Sequence, residues 1–236
     1  KAYQVAVNLN GNWQPAKTGV LPAAVNEALS GSVAWDGKVG IELPYHAGAT
    51  YNVELNGDLK NVSSHLPSPL AKPAGEPLPV NVKVDGNLNS FELTGQAGAD
   101  NHFNSCWLLG QKLTLDRAIW AADSKTLPPL PEQSGVELNM PPMNGAAWLA
   151  LFQKGAAESV GGAASFPQHI TLRTPMLSLG NQQWNNLSIV SQPTANGTLV
   201  EAQGREINAT LAMRNNAPWL ANIKYLYYNP SVAKTR

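Results

Sequence analysis

The chain is poor in cysteine and in charge. Its 236 residues include one cysteine, Cys106, so neither an internal disulfide nor a cysteine zinc cluster is possible. Only 14% of the residues are charged, and 16 basic residues balance 16 acidic ones. Because a chain without net charge or a basic cluster does not attract polyanions, we expect no nucleic-acid partner.

Long apolar runs and catalytic motifs are missing as well. The longest apolar stretch, Ala146–Phe152, is far too short to span a bilayer. There is no GxSxG elbow, no GxGxxG or phosphate-binding loop and no HExxH motif, and the 4 histidines lie far apart. Acidic residues such as Glu42, Glu54 and Glu92 fall at the polar phase of alternating segments, which is typical of solvated carboxylates. We therefore predict no catalytic residue, no metal site and no cofactor, so that the chain is not an enzyme.

Alternation of apolar and polar residues is the dominant pattern that is present. It runs through residues 51–56, 80–85 and 207–213, and weaker copies occur around residues 3–9, 91–93, 113–115, 170–172, 177–179, 187–189 and 223–227. A period of two predicts strands with one apolar face and one wet face. The sequence therefore predicts a mainly β fold, built as one long antiparallel sheet.

Glycine-containing dipeptides between these segments predict the turns. They are Gly11-Asn12, Asp36-Gly37, Asn56-Gly57, Asp85-Gly86, Gly180-Asn181, Asn196-Gly197 and Gln203-Gly204. One hairpin can be predicted in detail. A three-residue loop at 35–37 pairs Val33 with Val39, whereas a two-residue loop would place apolar side chains opposite polar ones. We therefore predict a hairpin that turns at residues 35–37.

Proline-rich stretches interrupt the strands at residues 66–79 and 127–143. Because proline donates no backbone hydrogen bond, these stretches are predicted to be crossings rather than central strands. The same alternation resumes after each of them. We therefore interpret residues 1–236 as one continuous β segment rather than as separate domains.

One short helix is predicted over residues 144–154. Asn144 is a suitable N-cap, and Trp148, Leu151 and Phe152 lie on one side of the helix at positions i, i+3 and i+4. A helix of this length needs an apolar surface to pack against. We therefore expect these three side chains to cover part of the sheet.

The apolar face of the sheet must itself be covered, and two arrangements satisfy the pattern. The face can line a groove that receives an apolar ligand, or it can pack on a second sheet. The second arrangement is a β-sandwich, as in a ligand- or carbohydrate-binding module. The residue pattern leaves both alternatives open.

The order of segments resembles a known family. Residues 62–80, VSSHLPSPLAKPAGEPLPV, are similar to the LPxPLxK segment of YhdP-type proteins, which belong to the AsmA-like (TamB-related) family of bacterial envelope proteins. Residues 127–149, 166–172 and 177–190 resemble the same family's order of proline-rich crossing, tryptophan helix and returning hairpin. The resemblance covers most of the chain and suggests an internal piece of a longer protein.

This resemblance implies a fold and a function. The fold is a curled, taco-like β-groove of the bridge-like lipid-transfer class. The implied function is to carry phospholipid acyl chains between the inner and outer membranes, in support of outer-membrane homeostasis. The implied location is the periplasm, with the parent protein anchored in the inner membrane. The expected partners are phospholipid, the rest of the parent chain and the two membranes.

The phase of the alternation then selects the residues expected to line such a groove. The predicted lining residues are Val5, Val7, Val33, Val39, Ile41, Tyr51, Val53, Leu55, Val80, Val82, Val84, Phe91, Leu93, Leu113, Leu115, Ile170, Leu172, Leu187, Ile189, Ile207 and Leu211. The predicted helix cover consists of Trp148, Leu151 and Phe152.

Overall fold

The computed structural model describes residues 3–17, 23–156 and 164–230. These residues are mainly in strands, with two α-helices, α1 (Ala23–Ala28) and α2 (Gly145–Ala156), and two short 3-10 helices, Pro15–Lys17 and Leu59–Asn61. The strands are β1 (Tyr3–Trp13), β2 (Leu29–Ser30), β3 (Val33–Leu43), β4 (Thr50–Asp58), β5 (Ser63–Ser64), β6 (Pro79–Asn87), β7 (Ser90–Ala97), β8 (Asn101–Leu109), β9 (Leu113–Ala121), β10 (Gly135–Asn139), β11 (Met143–Asn144), β12 (Ala164–Ser165), β13 (Ile170–Leu179), β14 (Gln182–Thr194), β15 (Gly197–Gln203), β16 (Ile207–Arg214) and β17 (Leu220–Leu226). The predicted mainly β fold is confirmed.

Fifteen of these strands form one sheet that does not close. Its order is β1-β3-β4-β6-β7-β8-β9-β10-β13-β14-β15-β16-β17, so the order along the sheet follows the order along the chain. The three short strands β12, β10 and β11 share the lane between β9 and β13. The second sheet contains only β2 and β5, each two residues long. In the described ranges there is thus no second sheet of a size to form the sandwich alternative.

The sheet is mixed: it is antiparallel as predicted except at one lane, where the strand pairs are parallel. β10 runs parallel to both β9 and β13. The cause is the segment 122–134, which follows β9 and returns the chain toward the start of that strand. A return of about a dozen residues is what a parallel connection requires. The prediction that residues 127–143 form a crossing without a central strand is therefore wrong at residues 135–139, although the prolines of this stretch lie outside β10, in the segments before and after it.

The predicted hairpin at residues 35–37 is wrong. β3 continues through this point, and Val33 pairs with Trp13 rather than with Val39. The reason that the chain has a glycine here is space, not a turn. A Cβ on Gly37 would lie 2.5 Å from Leu55 Cδ2, so only glycine lets Leu55 lie flat on the neighbouring strand.

Three further predicted turns are also wrong, because Gly11, Gly57 and Gly86 lie inside strands. Gly11 has the same role as Gly37: a Cβ there would lie 2.8 Å from the Trp35 indole. The dipeptides near residues 180, 196 and 203 do fall at the connections that join β13 to β14, β14 to β15 and β15 to β16. Of the predicted turn glycines, those in the C-terminal half of the chain lie at connections, whereas Gly11, Gly37, Gly57 and Gly86 lie within strands.

The two faces of the sheet differ in polarity along its whole width. Directly paired residues point to the same face. We define face A by the row Val7, Val39, Val53, Val84, Leu93, Ser105, Ala118, Val136, Ile170, Ser191, Val200, Leu211 and Ala221. The adjacent row defines face B: Asn8, Lys38, Glu54, Lys83, Thr94, Asn104, Ile119, Glu137, Thr171, Val190, Glu201, Thr210 and Asn222. Face A is apolar, and face B is mostly polar.

The sheet has only a small core. A compact chain of this mass should expose roughly 10,000 Å², whereas this chain exposes 15241 Å². None of the large side chains in the described residues is fully buried. The main apolar cluster consists of Ala122, Met140, Met143, Leu177 and Leu187. Most of the apolar face is therefore not buried in a protein core.

The two α-helices differ in how clearly the sequence predicts them. α2 begins at Gly145, and the Ala147 N–H donates to Asn144 Oδ1 at 3.2 Å, so Asn144 is the N-cap. α1 is not predicted. Its six residues make fewer than two turns, which is too short for a helical period to be visible in the sequence.

Candidate functional site

The pairing register places every residue predicted to line a groove on face A. Those outside the defining row belong to the two rows beside it, or lie two positions along the same strand from a residue of those rows and therefore share its face. One such row contains Val5, Ile41, Tyr51, Gly86, Phe91, Trp107 and Leu115, and the other contains Leu9, Gly37, Leu55, Val82, Gly95, Phe103, Trp120, Leu138, Leu172, Ile189, Ala202, Ala209 and Ile223. The structure thus brings the predicted residues together as one surface, and their contact with lipid stays a prediction.

Exposure of face A varies across the sheet. At the edge strand β1, Val5, Val7 and Leu9 are 45%, 42% and 45% exposed. Toward the middle, Leu115 and Leu187 are buried. The apolar surface is therefore most open at the two edge strands, β1 and β17, where Ile223 is 53% exposed.

Several large face-A residues are not among those predicted to line the groove. Phe103 and Trp107 belong to β8, Leu138 belongs to β10, and Trp35 belongs to the strand in which a turn was predicted. In β8 a signal was present, since Phe103, Trp107 and Leu109 are spaced by multiples of two. It was obscured because Cys106 and Leu108 lie at the opposite phase.

A strap of two segments lies over part of face A. We define it as residues 62–72 together with α2. The Trp148 indole Nε1–H donates to the carbonyl oxygen of Ser68 at 3.0 Å and so joins the two segments. Trp148 also packs against the apolar cluster that contains Leu187, which places α2 on the side of face A.

The strap links strands that are distant in the sheet. Residues 62–72 belong to the connection between β4 and β6, whereas α2 follows β11, which pairs with β13. Five strand spacings separate β6 from β13, which is about 24 Å along a flat sheet.

Of the predicted helix cover, Trp148 and Leu151 are partly buried, and the side chain of Phe152 lies outside the described residues.

Residues 62–72 are held in shape by their own contacts. Ser64 and Lys72 exchange backbone hydrogen bonds of 2.8 and 3.0 Å. The Lys72 ammonium donates to the carbonyl oxygen of Val62 at 2.9 Å. A charged donor placed on a backbone carbonyl makes this segment a defined structure rather than an open loop.

The second crossing, residues 122–134, lies on face B. The Asn104 amide donates to the carbonyl oxygen of Pro128 at 3.1 Å, and the Arg117 guanidinium donates to that of Pro131 at 3.2 Å. Both donors belong to the polar face. This crossing therefore leaves the apolar face free.

Neither a metal-ligand cluster nor a membrane-spanning helix is found in the part of the chain that the structure describes. Residues 3–17, 23–156 and 164–230 contain no group of three His, Cys, Asp or Glu side chains that could hold a metal ion. Within the same residues, no helix has the length and apolar character needed to cross a membrane.

Glu206 fastens the C-terminal strands together. Its carboxylate accepts hydrogen bonds from the backbone N–H and the side-chain amide of Asn185, both at 2.7 Å. Desolvation raises the pKa of Glu206, but the hydrogen bonds from Asn185, together with a backbone hydrogen bond of Glu206 itself and the charge of Arg205, outweigh it, and the pKa lies below its usual value. Glu206 therefore clips the connection between β15 and β16 onto β14.

Glu206→Gln is expected to destabilise the folded chain slightly at neutral pH, by no more than about 1 kcal/mol because the carboxylate is in contact with water. A carboxyl whose pKa is lowered by folding stabilises the fold above its unfolded pKa and loses that effect as the pH falls. The difference between wild type and variant should therefore shrink below about pH 4.5. Thermal unfolding at pH 7 and pH 3.5 measures it. Glu201→Gln, on face B of β15, is the control, and an equal loss in both variants would contradict the role of the clip.

Taken together, the geometry defines an open β-groove protein, in which one unclosed sheet presents a continuous apolar face under a partial strap. The family model of the YhdP protein matches residues 1–236, and the chain belongs to this family. Over all 236 residues it is 98% identical to the intermembrane phospholipid transporter YhdP of Escherichia coli (strain K12). The chain spans 19% of the length of that curated relative. No solved structure matches it.

Proposed function

We propose that this chain is one continuous segment of a bridge-like phospholipid transporter and that face A carries the acyl chains. One observation carries the proposal most directly. The central row of face A is apolar or small at every one of thirteen successive strands, and no second sheet in the described residues covers it. The relative named as a phospholipid transporter supplies the ligand class.

The energetics favour passive movement. Keeping an acyl chain of about sixteen carbons out of water is worth on the order of 12 kcal/mol. A continuous apolar row removes most of that barrier, while the headgroup stays in water at the open side of the groove. Face A contributes no charged side chain to the row, so a chain can slide without breaking a polar contact.

The dimensions suit part of a bridge. Thirteen strands about 4.8 Å apart give a groove of roughly 60 Å. The rest of the path would come from other parts of the parent protein. We place the segment in the cell envelope, in the periplasm, with the parent protein anchored in the inner membrane, and we assign it no catalytic role.

Photo-crosslinking in the full-length protein tests this function. A photoreactive residue in place of Val53 on face A should capture phospholipid, since Val53 pairs with Val39 and Val84 in the apolar row. The same residue in place of Glu54, the next position on the strand, points to face B and should not. Mass spectrometry identifies the adducts. Equal capture at both positions, or none at Val53, would overturn the proposal.

A further inference from the structure

Face A contains an apolar recess of about 270 Å³ near the C-terminal end of β4 and the N-terminal end of β6. It lies over β1, β3, β4 and β6, next to the strap. The side chains that surround it are Trp13, Val33, Trp35, Leu55, Val80 and Val82. Leu59, which lies directly after β4, also lines it.

The wall of the recess is almost entirely apolar, and besides Asn56 its only side chains with a polar group are Trp13 and Trp35, each with one indole N–H. The only polar residue at its wall is Asn56, and the register directs this side chain to face B. There Asn56 Oδ1 accepts a hydrogen bond from the Asn81 amide at 2.7 Å. A polar group inside the recess would therefore find no acceptor and almost no donor among the side chains.

Glycines give the recess its depth. The Trp35 indole lies flat over Gly11, and Leu55 lies flat over Gly37. Gly57, between Trp35 and Val80 in the same row, leaves the centre of the recess open. A larger residue at position 11 or 37 would displace the Trp35 or Leu55 side chain that now lies over the glycine. A larger residue at position 57 would occupy part of the recess itself.

We propose that this recess binds the methyl end of a phospholipid acyl chain. An occupant must be apolar along most of its inserted length, because the wall is almost entirely apolar and offers almost no polar partner. The methyl end of an acyl chain meets this condition, whereas a headgroup does not. This inference rests on the function proposed above.

Photo-crosslinking at Leu59 in the full-length protein tests the subsite. A photoreactive residue at position 59 should attach to the distal half of the acyl chain, as located by fragmentation mass spectrometry. Val84, on face A but outside the recess, should capture lipid at positions spread along the chain. Lys83, on face B, should capture none.

Filling the recess supplies the matched comparison. Gly57→Val adds three carbon atoms to the recess; displacement of about two methylenes of the acyl chain by them should lower capture at position 59 roughly tenfold while capture at position 84 persists. Gly40→Val adds the same side chain on face B and should change neither. Circular dichroism checks that both variants fold, and if Gly57→Val does not, Val80→Leu provides the same test.

The outcomes separate the two proposals. Capture of lipid at position 84 but not at position 59 overturns the subsite and leaves the proposed function intact. Capture of protein at position 59 shows that another part of the parent chain fills the recess and also overturns the subsite. Absence of lipid at both positions overturns both proposals.

Discussion

Leu93→Asp in the full-length protein is expected to reduce phospholipid transport by about an order of magnitude or more, because a carboxylate among acyl chains is poorly solvated. Leu93 lies near the middle of the face-A row, where it pairs with Val84 and Ser105. One charge at this point interrupts the apolar path for every chain that passes. Transfer of isotope-labelled phospholipid between the two membranes measures the effect.

The adjacent residue provides the control for this variant. Thr94 lies on face B and pairs with Lys83 and Asn104, so Thr94→Asp introduces the same charge into the same strand on the polar face. Transport should be unchanged in Thr94→Asp. Unfolding is followed by circular dichroism beside transport. The neutral Leu93→Ser removes the same side chain without a charge, so it separates the effect of lower stability from the effect of a charge in the groove. Equal transport in Leu93→Asp and wild type, with both folded, would show that acyl chains do not pass along this row.

Trp148→Ala is expected to loosen the strap. Trp148 packs on the apolar cluster and donates to Ser68, so its removal should cost about 2 to 3 kcal/mol, less than for a fully buried tryptophan. Trp148→Phe keeps most of the packing and loses the hydrogen bond, which is worth about 1 kcal/mol. Hydrogen exchange of the amides of residues 64–72 should accelerate in both variants, and more in the first.

Leu149 offers the matched control for the strap. It is the next residue of α2 and is 48% exposed. Leu149→Ala changes the same helix without touching Ser68, so exchange in residues 64–72 should stay at the wild-type rate. If Leu149→Ala and Trp148→Ala accelerate exchange equally, the indole does not hold the strap in place.

The face to which each strand turns its apolar side chains could be predicted from sequence. Period two is a local property, and Leu55, Val84 and Leu93 keep their phase whatever strand lies beside them. The start of α2 could be predicted for a similar reason, since the Asn144 cap acts within four residues. These features depend on residues close in sequence, so they can be predicted without knowing which strands are neighbours in the sheet.

Features that depend on the neighbouring strand could not be predicted. The sequence around Gly37 reads as a turn, because the side chain that needs its space, Leu55, comes from another strand. β10 has only five residues, and its parallel direction is decided by the path of residues 122–134. The recess combines Trp13, which lies outside the predicted first strand, with Trp35, which lies in the predicted turn.

The agreement between strand order in the sheet and strand order in the chain has a consequence for how the protein opens. Each strand depends mainly on the two strands that precede and follow it, so stability propagates between nearest neighbours, as in repeat proteins. Local unfolding should then begin at the edge strands β1 and β17 and move inward. It should stop at the lane between β9 and β13, which β12, β10 and β11 fill from three separate parts of the chain. The groove can thus fray at either end while its middle keeps its shape.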